Sequence, residues 1–485
     1  MFGFSILILL PLLAAMFCYI VKNLRVQYNV SLLVSILHLF ISLMVFGGVY
    51  HFQLPTFFSF DSLSKLFLLI LSHVYFWVIL VSFTYLKRPV TSKAQEGKKY
   101  YFLLLNFYLA SNTAAMLADH FGMYWVSAEA TTLSVASLIY YYRNEEALEA
   151  MWKYLFLVSI GIAFAFIGIL FLTLSANGTL LEGKQLFFWE FIRNAKALNP
   201  IWLKASFIFI FVGLSTKIGI APMHSGDVDA TSNAPSPIAA LMSGSLRLTA
   251  LIGVMRIFQI AAPTSSFEFA RTILIIGGLL SLFTAFVFMF KVNNYKRMLA
   301  YSSVEHLGLI TLGIATGGVA FFGAMYHTIY NSITKIVLFL SAGNVHSKFK
   351  TREVDKVRNA LNILPKTGWL FLLAYLAISG IPPFGIFFSE LKIFEGILFS
   401  NNSFILVFVM LFLLFIFINM GKIIFTMLYK KDENKNALTQ SEGFNIIHLA
   451  SILLLIILVV IAVSSPEIIY KNILNVGKDF GIKIH

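Results

Sequence analysis

Charge is what this chain has least of. Only 12% of its 485 residues are Asp, Glu, Lys or Arg, while 59% are hydrophobic; soluble domains carry about 25% charge. That excludes a soluble globular protein and makes the chain a polytopic membrane protein. Cysteine is nearly missing as well. Cys18 is the single one, so no intrachain disulfide can form, and one thiolate cannot supply the set that holds an iron–sulfur cluster. No CxxC pair, Walker A sequence or GxGxxG fingerprint occurs. The expectation is no cofactor and no metal site in this chain, and no redox catalysis by it alone. No basic stretch precedes the first apolar run, so the N-terminus is expected to remain as a membrane helix. The formal net charge of +14 would suggest a nucleic-acid partner in a soluble protein. Here Lys and Arg collect in short loops, the mark of loops that stay cytoplasmic, and no nucleic-acid partner is expected.

What is abundant is apolar sequence in lengths of about 20 residues, enough to cross a bilayer as a helix. The expected fold is an all-α integral membrane protein. About fourteen spans are expected, near 4–22, 29–50, 62–86, 100–118, 122–142, 151–175, 204–223, 237–259, 271–291, 298–316, 319–344, 367–399 (broken), 403–429 and 446–464. Basic residues follow the odd-numbered spans: Lys22 and Arg25, Lys87 to Lys99, Lys291 to Arg297, Lys348 to Arg358, and Lys430, Lys431 and Lys435. The loops 51–61 and 317–320 hold no Lys or Arg. The positive-inside rule then puts both termini on the outer side, in a multi-pass protein of the cell inner membrane. The tail from Pro466 mixes charged and apolar residues and suits a short interfacial helix.

Proline marks two of the spans. The seventh carries Gly219-Ile220-Ala221-Pro222, the twelfth Gly380-Ile381-Pro382-Pro383. Both interrupt apolar segments, and five spans separate them, which reverses their orientation. Paired broken helices in corresponding positions point to an inverted-repeat transporter. The expected organisation is helices 1–3 in 1–99, a first repeat in 100–259, a second in 271–430, and a last helix and tail in 446–485. The polar run from Ser225 to Pro237 reads as a connection between the seventh and eighth spans.

The few charges inside the spans carry the functional argument. A Lys, Arg or Asp at a helix centre costs about 2.5–3.5 kcal/mol on insertion scales and marks a functional site by default. Glu129 lies in the fifth span, Lys217 in the seventh, Arg247 in the eighth, His306 in the tenth, His327 and Lys335 in the eleventh, and Glu390 in the twelfth. Eight residues separate His327 from Lys335, about two helical turns, so they share a face. Glu305 is balanced between surface and interior. Lys153, Arg256 and Lys422 near span ends are expected to snorkel to the interface. Static charge pairing, or a histidine that only packs, is the bland alternative for each. A row of buried Glu, Lys and His suits proton transfer, because a neighbouring charge shifts the balance between protonation states. Ser302, Ser303, Ser332 and Thr334 are placed to hold bridging waters.

Several stretches together resemble one family: Trp125 to Glu129, Lys217 to Pro222 with His224, Ala234 to Pro237, Lys296-Arg297-Met298-Leu299-Ala300-Tyr301-Ser302-Ser303, Asn331 to Lys335, Ser341 to Asn344, and Gly380 to Pro383 followed by Phe387 to Glu390. They resemble the proton-translocating antiporter-like membrane subunits of respiratory complex I, Mrp antiporters and membrane-bound hydrogenases, component F of hydrogenase-4 complexes above all. The resemblance covers roughly residues 100 to 400. It implies two inverted five-helix repeats, each with a broken helix. It implies that Glu129 and Lys217 form the charge pair of a first half-channel, that Lys335 and Glu390 serve a second, and that His306 lies on the polar axis between them. Near Leu248, where many members have a lysine, this chain has Arg247. The function implied is an ion-translocating, proton-carrying subunit of a hydrogenase- or complex I-like redox complex, with other membrane subunits and soluble redox subunits as partners. The alternatives are an Mrp-type cation/proton antiporter subunit and a non-conducting membrane anchor for a soluble partner.

Overall fold

An apolar run in hydrocarbon leaves its backbone no hydrogen-bond partner but itself, so such runs fold as helices. The computed structural model describes residues 2–49, 57–88, 92–400, 403–430 and 442–482, with side chains from 6 onward and without those of 92 and 93. The helices are α1 (Phe2–Ile20), α2 (Leu24–Phe46), α3 (Ser62–Leu86), α4 (Ser92–Leu117), α5 (Phe121–Ile139), α6 (Glu145–Ser175), α7 (Pro200–Ile218), α8 (Ser236–Ala261), α9 (Phe267–Met289), α10 (Tyr295–Thr316), α11 (Gly318–Phe349), α12 (Pro365–Ile378), α13 (Gly385–Leu398), α14 (Ile405–Tyr429), α15 (Ile446–Ser464) and α16 (Glu467–Asp479). Among the described residues the only β contacts are isolated bridges. The Lys93 side chain, Lys431, Lys435 and residues 51–56 of the loop at 51–61 lie outside the described residues.

Helix starts follow the polar residues that can cap them. Asn23, Asp61, Asn144, Asn199, Asn294 and Asn445 each accept a hydrogen bond from a first-turn backbone N–H. Among the described residues nine helices are long and apolar enough to cross a membrane. The other expected spans are also helical, but shorter or more polar. The tail forms α16, which turns Ile473 and Val476 inward and leaves Ile468 and Tyr470 exposed.

One expectation fails at the seventh span. α7 stops at Ile218, and Gly219 takes a left-handed conformation with φ 83°. The stretch read as a polar connection is a helix, Ser225–Asn233, with Asp227, Thr231 and Ser232 buried. Its polarity hid it: Asp227 and Thr231 face Arg247 on α8, not lipid. The seventh span is therefore two helices around a break, as the twelfth is. There α12 ends before Gly380, φ 64°, and α13 continues the path. Both breaks contain a cis proline bond, Ala221–Pro222 and Pro382–Pro383.

Packing sorts the helices by depth. α8 and α10 are enclosed on all sides, whereas α14 turns most of its surface outward, with Val407, Met410, Leu414 and Ile418 exposed. α6 and α7 meet so closely that a Cβ on Gly161 would lie 2.5 Å from the Gly213 carbonyl. Small residues at such a crossing let backbones approach, the main source of helix association in lipid.

Candidate ion-translocation site

Lys217 ends α7 fully buried. Its ammonium donates to the Ala128 carbonyl at 2.5 Å and to the Thr131 and Thr132 hydroxyls at 2.5 and 2.9 Å. Three neutral acceptors on α5 thus match its three protons. Glu129 is next to Ala128 but faces elsewhere: one carboxylate oxygen accepts from Ser159 of α6 at 2.7 Å, and the other is buried without a partner. Among the described residues no ion pair joins Glu129 to Lys217. The two are within electrostatic reach of each other, a charge couple without a bond.

A direct, fully enclosed ion pair in this half is one that no motif announced. Arg247, 1% exposed, donates through Nη2 to Asp227, 0% exposed, and to Thr231 at 3.4 Å. Asp227 comes from the helix hidden in the polar run, and Arg247 follows a π-helical turn, Met242–Leu246, in α8. Such turns gather at functional sites. The pair is incompletely satisfied: Asp227 Oδ1, Arg247 Nε and Arg247 Nη1 have no hydrogen-bond partner. Asp227 also lies against the break, where a Cβ on Gly219 would be 2.9 Å from its carboxylate.

In the other half Lys335 of α11, fully buried, donates to Ser302 Oγ at 2.9 Å and the Leu299 carbonyl at 3.2 Å on α10. His327, two turns away on the same face, meets His306 of α10 at 3.0 Å and Ser389 of α13 at 3.0 Å. Glu390 follows Ser389 and folds back on the second break, where a Cβ on Gly380 would collide with its carboxylate. Glu305, balanced between surface and interior from sequence, is 6% exposed. It is within electrostatic reach of Lys335 and Glu390.

These groups form one row. Lys335 feels Arg247 as well as Glu305, and the buried Tyr154 of α6 feels Glu129, Asp227 and Arg247. The row comprises Glu129 and Lys217, Tyr154, Asp227 and Arg247, Lys335 and Glu305, and the cluster of His306, His327 and Glu390. Asp227, Tyr154 and Glu305 are its members that the sequence reading did not select. Asp227 had a signal, an acidic residue eight positions beyond the GIxP glycine, as Glu390 is ten beyond its own. The end-of-span residues divide. Lys153 is half exposed and pairs with Glu149 at 2.5 Å, and Lys422 is exposed, both as snorkelling expects. Arg256 does not snorkel: it is 4% exposed, ion-paired to Asp61 and bonded to Ser64 at 3.0 Å. An acidic N-cap on α3 draws it inward.

Lys, Glu, Arg and His enclosed among membrane-spanning helices define a class, the ion-translocating membrane proteins. Comparison with known proteins gives the family. Residues 118–416 match the family described as NADH:quinone oxidoreductase/Mrp antiporter, transmembrane, and the chain belongs to it. It is 31% identical over 345 residues to the hydrogenase-4 component F homolog of Methylacidiphilum infernorum, covering 70% of this chain and 72% of that one. It is 26% identical to Na(+)/H(+) antiporter subunit A1 of Staphylococcus haemolyticus, over 86% of this chain and 53% of the longer relative. Its fold is that of a chain in the membrane-bound sulfane sulfur reductase, an archaeal respiratory membrane complex, with TM-score 0.86 at 22% identity over 98% and 97% of the two chains. A chain of the Mrp complex from Dietzia sp. superposes with TM-score 0.83 at 14% identity over 99% and 97%.

Proposed function

We propose that this chain carries protons across the cell inner membrane as a subunit of a hydrogenase- or complex I-like redox complex. The observation that carries the reading is the row of buried and partly buried ionisable groups from Glu129 to Glu390, set on helices that are largely apolar. Energy arrives from partners, soluble redox subunits together with neighbouring membrane subunits. A change of charge at one end of the row alters the protonation of the next group, and the change passes along.

The row divides at Arg247. Glu129 and Lys217 belong to a first half-channel within 100–259, Lys335 and Glu390 to a second within 271–430. Two inverted repeats in a fourteen-span chain account for the shared device at the two breaks: a left-handed glycine, a proline, and a carboxylate returning on the glycine. In this reading Asp227 corresponds to Glu390. Residues 1–99 and 446–485 flank the repeats, and both termini face outward, as the basic loops indicate. A guanidinium is a poor proton relay, and Arg247 instead holds Asp227.

Proton uptake by vesicles containing the whole complex tests the assignment. Lys217→Ala and Lys335→Ala are each expected to reduce uptake by at least about 100-fold, the low end for losing a positioned proton-transfer group. Wild-type rates in both variants would sink it. Uptake that requires a sodium gradient and no redox substrate would instead assign the chain to antiport.

A further inference from the structure

Three helices bring metal-ligating atoms together in the second half of the row. One ring nitrogen of His306, one of His327 and a carboxylate oxygen of Glu390 lie within 4.8 Å of one another. The imidazoles are 1% and 0% exposed. Hydrogen-bond directions assign their tautomers. Ser389 Oγ donates its only proton to the Ile386 carbonyl at 2.9 Å. Toward His327 Nδ1, 3.0 Å away, it can therefore only accept. His327 carries its proton on Nδ1 and presents a bare lone pair at Nε2. The neutral His306 donates to that lone pair from Nδ1 at 3.0 Å. Its remaining lone pair, on Nε2, is buried with no partner.

We propose that His306, His327 and Glu390 form a site for a divalent transition-metal cation, Zn²⁺ by its donor set, which closes the second half of the row. Two neutral imidazoles and one carboxylate are the protein ligands of zinc sites that keep a fourth position open. Calcium and magnesium take oxygen ligands instead. With zinc–nitrogen bonds near 2.0–2.1 Å, two nitrogens on a tetrahedral ion are about 3.3 Å apart. The 3.0 Å between His306 Nδ1 and His327 Nε2 widens to this by a small turn of the rings, the His306 proton moving to Nε2 so that both facing nitrogens offer lone pairs. A ligating histidine normally donates its other N–H to an outer partner that fixes the ring, and Ser389 already does this for His327. The bound cation occupies the lone pairs through which a proton would pass, so it blocks without deforming the fold. The blocking role rests on the proposed proton path; the binding does not.

The test uses the whole complex in detergent, with zinc chloride as the probe. One high-affinity Zn²⁺ is expected per chain, with two imidazoles in its shell by X-ray absorption. His306→Gln, His327→Gln and Glu390→Gln should each abolish that stoichiometry, and His73→Gln on α3 should leave it. Ser389→Ala should weaken affinity about 10–100-fold, the usual effect of losing an outer partner, and Ser389→Thr should restore it. Should the ligand variants fail to assemble, the absorption of Co²⁺ in wild-type protein still reports a four-coordinate site with nitrogen ligands. No binding to wild type, equal binding in all three ligand variants, or a shell without imidazole overturns the proposal. Zinc that binds there and leaves proton uptake unchanged overturns the blocking role. If wild type shows no uptake at all, the proton path fails, while the binding data still decide the site.

Discussion

At the scale of the residue, the buried charges differ in how well they are held. Lys217 satisfies its ammonium with neutral acceptors. Arg247 depends on Asp227, and both are enclosed. Removing one member of a buried pair typically costs about 3–5 kcal/mol, because the other charge is left uncompensated, whereas replacing both by apolar groups of similar volume is often neutral. Asp227→Asn is therefore expected to lower stability by about that amount, read as a fall in the thermal midpoint in detergent. The double replacement Asp227→Leu with Arg247→Met should recover most of the midpoint. If the single variant melts like wild type, the pair does not hold the break. The sequence exposes each deep charge, since an isolated Lys or Glu in an apolar run is conspicuous. Partners are another matter. Glu129 beside Ala128 reads as the natural mate of Lys217, yet helix rotation turns it to Ser159.

At the scale of the element, the two broken helices use glycine for two reasons at once. Gly219 and Gly380 have φ of 83° and 64°, a region that costs a side chain roughly 1–2 kcal/mol. Each also leaves room for a returning carboxylate, Asp227 or Glu390. Gly219→Ala and Gly380→Ala are expected to cost that backbone energy and to displace the carboxylate, lowering proton uptake. Gly183→Ala is the control, with φ 71° and nothing within 4 Å of its added Cβ; it should lose stability alone. Uptake unchanged in both break variants would separate the carboxylates from transport. The GIxP pattern made both breaks legible from sequence. The helix after the first break was not, because hydropathy scores Ser225–Asn233 as a loop. Its burial depends on α6 and α10, which no local window contains.

At the scale of the molecule, the end of α8 away from the break ties distant segments together. Arg256 pairs with Asp61 at the start of α3, and Gln259 donates to the Asp479 carbonyl of α16 at 2.8 Å. Asp119, between α4 and α5, sits at this junction. Burial, helped by the Asp61 charge, pushes its carboxyl up to about 6, against the opposing pull of Arg256 and the Trp189 N–H. A carboxyl with a raised folded pKa favours the folded state below its unfolded value, near 3.8, and loses that contribution as pH climbs through the folded one. The thermal midpoint is thus expected to fall as pH rises from 3.8 to about 6, and Asp119→Asn to remove the part of the slope in that window. An unchanged profile in the variant would assign the slope to other groups.

The sequence by itself determined that the chain lives in a membrane, that it is helical, where most helices lie, and which deep residues are worth attention. Those conclusions rest on hydropathy and on the cost of a lone charge in hydrocarbon, both local properties. Tertiary structure decided the rest. It joined Asp227 to Arg247, turned Glu129 from Lys217, drew Glu305 and Arg256 inward, and brought His306, His327 and Glu390 from three helices to one point. Such pairings depend on helix rotation and depth, which are set by how side chains on several helices pack, and no single segment encodes them.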